Sequence, residues 1–148
     1  MLVIRNMIES DREKVLEMMR VFYASPAVLS NGSEEIFRND ITACVGDSPY
    51  LEGYIFTDDN QACGYSMVAK SFSTEFGKPC IWIEDIYIES KYRGRGIGTD
   101  FFAFIEKKYP DSLIRLEVED ENQNAIHVYE KCGYERLPYV EMKKNMMG

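Results

Sequence analysis

The spacing of apolar and polar positions changes several times along the chain, and each change marks an element. "LVIRNMI", residues 2–8, alternates loosely and predicts a first strand. Beyond it, Val15, Met18, Met19 and Phe22 share one helical face, with Ser10 and Glu13 as an expected capping box. "SEEIFRNDITACV" predicts a second helix from Ser33. "YLEGYIF" and "ACGYSMVAKSF", joined by "TDDNQ", predict a hairpin. "CIWIEDIYIE", residues 80–89, is mostly apolar on both faces, so it is expected in the middle of a sheet covered on both sides. Alternation puts Ile81, Ile83, Asp85 and Tyr87 on one face and Trp82, Glu84, Ile86 and Ile88 on the other. One carboxylate is therefore expected on each buried face.

A further helix is expected from about Gly96, with Ile97, Phe101, Phe104 and Ile105 as its apolar stripe and Pro110 as its stop. "LIRLEVE" reads as a strand. "NQNAIHVYEKCGY" reads as a short helix with Asn122 near its start and Gly133 after its end. "YVEMKK", residues 139–144, reads as a closing strand. The order is strand, two helices, hairpin, strand, helix, strand, helix, strand, which makes a mixed α/β domain around one sheet. With 148 residues and no repeat or linker, one domain over residues 1–148 is expected.

Composition narrows the partners. A formal net charge of -8 argues against a general nucleic-acid binder and suits cationic partners. No apolar run reaches the roughly 20 residues that span a bilayer, and the acidic start does not resemble a signal peptide, so a cytoplasmic location without a membrane partner is the expectation. Cys44, Cys63, Cys80 and Cys132 are scattered, and His127 is the one histidine. No metal site is expected from that spacing, and the thiols are expected reduced.

Between the central strand and the next helix lies "YRGRGIGTD". Strand, glycine turn and helix start make an anion site, because the first helical N–H groups lack intrahelical acceptors and the dipole favours negative charge there. Glycines admit a phosphate close to the backbone, and Arg93 and Arg95 add charged donors. A dinucleotide is one candidate ligand, with Glu117 and Glu119 about twenty residues on. Against it, "GRGIGT" places Thr99 where that fingerprint has its third glycine. No G-K-[ST] is present for a Walker loop. The other candidate is coenzyme A.

The pattern R-x-x-G-x-G in "RGRGIG", residues 93–98, resembles the acetyl-CoA pyrophosphate loop of the GNAT superfamily of N-acetyltransferases. "NQNAIHVYEKCGY" resembles the second family segment, N-x-x-A-x-x-[LV]-Y-x-x-x-G-[FY], through Asn122, Ala125, Val128, Tyr129, Gly133 and Tyr134. The resemblance implies a splayed, mostly antiparallel central sheet flanked by helices on both faces, with acetyl-CoA as co-substrate. It places the pantetheine arm against backbone at Ile86, Tyr87 and Ile88. It places the pyrophosphate on Arg93, Gly94, Arg95, Gly96, Ile97, Gly98 and Thr99, and makes Asn122 a contact to the pantetheine or to the acid-side network, where its plain alternative is a helix cap. "IEDIYI" is also similar to the central strand of the spermidine/spermine acetyltransferases.

Acetyl transfer to an amine needs a base, because an alkylammonium is not nucleophilic. It also needs donors for the oxyanion and a proton for the leaving thiolate. The resemblance implies Glu84 as the base, directly or through water, with Asp85 the alternative, and Tyr129 as the acid. The oxyanion donor is expected to be a strand N–H near Ile86. His127 and Cys132 are read as packing or surface residues. The acidic charge leans toward a small cationic amine, polyamine- or aminoglycoside-like, and acids in "NGSEEIFRND" stand ready for one. A peptide N-terminus or a protein lysine is the other acceptor class. A non-catalytic acetyl-CoA-binding module is the non-enzymatic alternative, which would need neither Glu84 nor Tyr129. The family resemblance also implies a homodimer.

Overall fold

The computed structural model describes residues 1–146. Its frame is one sheet of five strands in sequential order: β1 (Leu2–Asn6), β2 (Leu51–Asp58), β3 (Gln61–Ser73), β4 (Lys78–Ile88) and β5 (Leu113–Leu116). The first three pairings are antiparallel and the last, β4 with β5, is parallel. The β2–β3 hairpin turns through Asp59 and Asn60, both at positive φ, as a tight hairpin requires.

Helices cover both faces, and each face owns a core. α1 (Arg12–Tyr23) and α2 (Glu34–Val45) bury Val15, Leu16, Met18, Met19, Phe37 and Ile41 against Ile55, Tyr65, Met67 and Tyr87. α3 (Ile97–Lys108) buries Ile97, Phe101, Phe102 and Ile105 against Tyr54, Phe56, Val68, Ile81 and Ile83. α4 (Gln123–Lys131) packs beside α3. Phe102 lies outside the stripe expected from sequence. It is buried because α4 covers α3 from the side, with the Tyr129 and Tyr134 rings 5.8 and 5.3 Å from it.

Ser33 caps α2 as expected, its hydroxyl accepting from the Ile36 N–H at 3.2 Å. At α1 the expected Ser10 box gives way to Asp11. That carboxylate accepts from the Ile8 N–H at 2.8 Å and from both Arg5 guanidinium nitrogens, so it ties the helix start to β1. Residues 139–144 form no strand. β5 is only four residues long and offers little edge for another ladder, and Tyr139 instead donates to Glu75 at 2.6 Å.

The face assignment along β4 needs correction. Val68 and Met67 are consecutive on β3, but they pair with Ile83 and Asp85 on β4. Glu84 is thus the extra residue of a β-bulge, and the alternation slips by one at that point. Ile81 and Ile83 face α3 together with Ile86 and Ile88, whereas Asp85 sits in the opposite layer and Tyr87 packs in the α1–α2 core. The bulge also changes burial: Asp85 is 4% exposed, while Glu84 is exposed rather than buried.

Candidate active site

The sheet opens at the bulge. Ladder pairing between β4 and β5 ends at Ile83 with Leu116, while β4 runs on to Ile88. Glu84 and Glu117 follow the last pair on the two sides of the opening. The β5-side edge of Ile86, Tyr87 and Ile88 therefore has no strand partner, and apart from the Ile88 carbonyl, which accepts from Arg93, it is left for an extended ligand.

The glycine loop continues directly from that strand. Gly94 and Gly96 have φ of 78 and 80°, and a Cβ at either would meet nothing within 4 Å. The backbone here thus faces open space in a conformation where only glycine is unstrained. The first bond closing α3 runs from the Asp100 N–H to the Gly96 carbonyl at 2.9 Å. The N–H groups of Ile97, Gly98 and Thr99 precede it and have no intrahelical acceptor. Both arginines brace the loop. Arg93 donates to the Ile88 carbonyl at 2.8 Å and lies over the Tyr87 ring, and Arg95 stands 3.6 Å from Asp58 and over the Tyr92 ring. These features fit a pantetheine–pyrophosphate ligand.

α4 brings the second segment alongside. The Asn122 side chain caps it, accepting from the Ala125 N–H at 3.2 Å, and so serves as the plain helix cap at least. The Tyr129 ring packs on Phe102, one turn into α3, and burial raises its hydroxyl above the usual phenol range. Among the described residues, the buried hydroxyl without a hydrogen-bond partner is that of Tyr134, beside it. Thr99 and Cys132 touch at 3.9 Å, closing the seam between α3 and α4. His127 is exposed.

Around the opening the charges are one-sided. Asp85 accepts from the Tyr23 hydroxyl and from the Tyr65 hydroxyl, each at 2.8 Å, and burial pushes its carboxyl up to about 6 against those two donors. Glu84 is raised first by partial burial of its carboxyl, then by the charges of Asp85 and Glu141. Asp40 of α2 is raised by burial and by Glu84. Glu117 is raised to about 7, first by a hydrogen bond with Glu141, then by burial. Glu141 and the tyrosine donors carried no local signal in the sequence, because tertiary folding alone brings them here.

Residues 15–134 match the acetyltransferase (GNAT) family. The chain is 30% identical to the thialysine N-epsilon-acetyltransferase of Mus musculus over 90% of its length and 84% of that enzyme. It is also 30% identical to the streptothricin acetyltransferase of Escherichia coli, over 59% of the chain and 56% of that enzyme. Among solved structures, a possible acetyltransferase from Clostridium difficile 630 superposes with a TM-score of 0.83 at 18% identity, over 98% of this chain and 97% of that one. Aminoglycoside acetyltransferase AAC(6')-Iy, solved with a bisubstrate analogue, superposes with a TM-score of 0.81 at 15% identity, over 98% of both chains. With its parallel β4–β5 pair opening beside a glycine loop, this chain belongs to the GNAT family of acetyltransferases.

Proposed function

We propose that the protein transfers the acetyl group of acetyl-CoA to a primary amine by direct attack, and that the acceptor is a small cationic amine. The observation that carries the acceptor class is the opening at Glu84. Asp40, Glu84, Asp85, Glu117 and Glu141 gather around it, and no salt bridge neutralises any of them among the described residues. Such a field concentrates cations at the site. Relatives named for thialysine and streptothricin are consistent with a small amine acceptor.

Acetyl-CoA supplies the activated thioester. Residues 94–99 would hold its pyrophosphate through backbone N–H groups, and the free edge of Ile86, Tyr87 and Ile88 would hold the pantetheine. Glu84 takes the amine proton. It is preferred over Asp85 because it is exposed at the opening, while both Asp85 oxygens are engaged by tyrosines and the side chain is buried. A raised carboxyl is also the stronger base. A strand N–H near Ile86 stabilises the oxyanion, and the Tyr129 hydroxyl returns a proton to the leaving sulfur. We also propose a homodimer, supported by the exposed apolar side chains of Leu137, Val140 and Met142.

The test is CoA thiol release from acetyl-CoA across polyamines, aminoglycosides, amino acids and peptides with free N-termini. Turnover concentrated in the cationic small amines supports the acceptor class. Turnover confined to peptides or a folded protein would replace it with the protein-acetylating reading, and binding of acetyl-CoA without any turnover would leave a binding module.

A further inference from the structure

Asp85 presents an energetic puzzle. It is a carboxylate at 4% exposure with no cation beside it, and a hydrophobic side chain of similar size would be buried at less cost. Its neighbours show what the group does. One oxygen accepts from Tyr23, the last residue of α1, and the other from Tyr65 of β3. Its own carbonyl accepts from the Ser66 hydroxyl at 2.7 Å. Two elements, α1 and β3, therefore meet on the residue that closes the bulge. The residue before it, Glu84, is the one the bulge turns out of the ladder.

We propose that Asp85 is a positioning residue for Glu84: clamped by Tyr23 and Tyr65, it holds the bulge that aims Glu84 into the opening and, when ionised, places a negative charge behind it. The proposal rests on the reading of Glu84 as base. Two tyrosine donors favour the charged form of Asp85 while burial opposes it, so the clamp sets how much charge Glu84 feels. That charge makes Glu84 hold a proton more tightly than an isolated exposed glutamate. The other titratable groups facing the pair are Asp40 and Cys44 of α2, with Glu117 and Glu141 across the opening. Glu141 raises Glu84 in the same direction as Asp85, so Asp85 supplies one part of the charge that Glu84 feels, and it alone among them is joined to the bulge. Asp40, Glu84 and Asp85 titrate as a set, and what is measured at Glu84 is its apparent midpoint.

The test reads Glu84 directly. Carboxyl-13C-labelled glutamate gives a signal for Glu84, assigned by its loss in Glu84→Gln, and its midpoint is followed by NMR in the full chain. Asp85→Asn is expected to lower that midpoint by about half to one pH unit, the range for loss of a neighbouring charge. Tyr23→Phe leaves the carboxyl but removes one donor. Asp85 then keeps its proton to higher pH, and the Glu84 midpoint falls by a smaller amount. This second variant serves if the asparagine variant does not fold. An unmoved Glu84 midpoint in the folded variants overturns the proposal, because a merely structural Asp85 would lower stability alone. The pH profile of kcat/KM separates the two readings. If its acid limb follows the NMR midpoint, both stand. If the midpoint moves while the limb stays, Asp85 acts on Glu84 as proposed and Glu84 is not the base.

Discussion

Two groups of carboxylates lie against the same sheet and are treated in opposite ways. Glu52 on β2 accepts from Tyr54 at 2.7 Å and from Tyr109, and Lys70 and Lys108 each stand 3.6 Å away. Burial pushes its carboxyl up, but those hydrogen bonds and charges outweigh it and leave it below the usual range. At the opening, burial and like charge act together and nothing in the described chain opposes them with a cation. Asp85 is held at about 6 and Glu117 at about 7. One cluster is complete within the protein and joins α3 to β2. The other has no cation of its own among the described residues. A buried acid with its own lysines reads as structure, and a set of acids without them reads as a site.

The sharpest break would come from exchanging the two roles by mutation. Glu84→Gln is expected to lower kcat/KM by about 10²–10³-fold, in the range for loss of a general base, with little change in Tm. Glu52→Gln is expected to leave turnover per folded molecule intact. Equal kinetic damage from both would end the distinction.

Stability against pH should carry opposite signs at the two places. The folded Asp85 carboxyl, raised from 3.8 to about 6, keeps its proton where the unfolded one has lost it. Its contribution therefore falls as pH rises through that window, by about 3 kcal/mol in all. Glu52 is lowered, so its stabilisation is present above its ordinary value and is lost as pH falls below it. Denaturant melts of wild type and Asp85→Asn from pH 4 to 7 should converge toward the acid end. Parallel curves would mean that Asp85 is not held protonated.

At neutral pH, Glu52→Gln is expected to cost about 1–3 kcal/mol, because Lys70 and Lys108 lose a charged acceptor. Tyr129→Phe keeps the packing on Phe102 and removes only the hydroxyl, so kcat should fall about tenfold, worth about 1.4 kcal/mol, with acetyl-CoA affinity unchanged. Unaltered turnover would remove Tyr129 from the chemistry. The smallest effect is expected from salt. KM for a cationic acceptor should rise a few-fold as ionic strength increases, since exposed charges are screened beyond roughly 10 Å at 0.1 M. A salt-independent KM would mean that the acidic field does not recruit the substrate.

The elements themselves were legible before the fold. Ser33 marks the start of α2, "TDDNQ" marks the hairpin turn, and Gly94 and Gly96 mark the turn from β4 into α3, because each acts through its own neighbours in sequence. Residues 139–144 show the limit of that logic. They alternate like a strand, yet a strand exists only with a partner edge, and β5 is too short to give one. The stripe on α3 shows it again, since Phe102 is buried only by the arrival of α4.

The sequence by itself determined the mixed α/β order, the glycine loop and both carboxylates of "IEDIYI", all of which depend on local spacing. Tertiary structure alone decided what those carboxylates do. The bulge at Glu84 arises from the register of β4 against β3, and it sends Glu84 to the opening and Asp85 under Tyr23 and Tyr65. The convergence of Asp40, Glu117 and Glu141 on the same opening depends on packing between elements far apart in the chain. A one-residue slip in pairing exchanges the faces of a strand, and no pattern within that strand records whether the slip occurs.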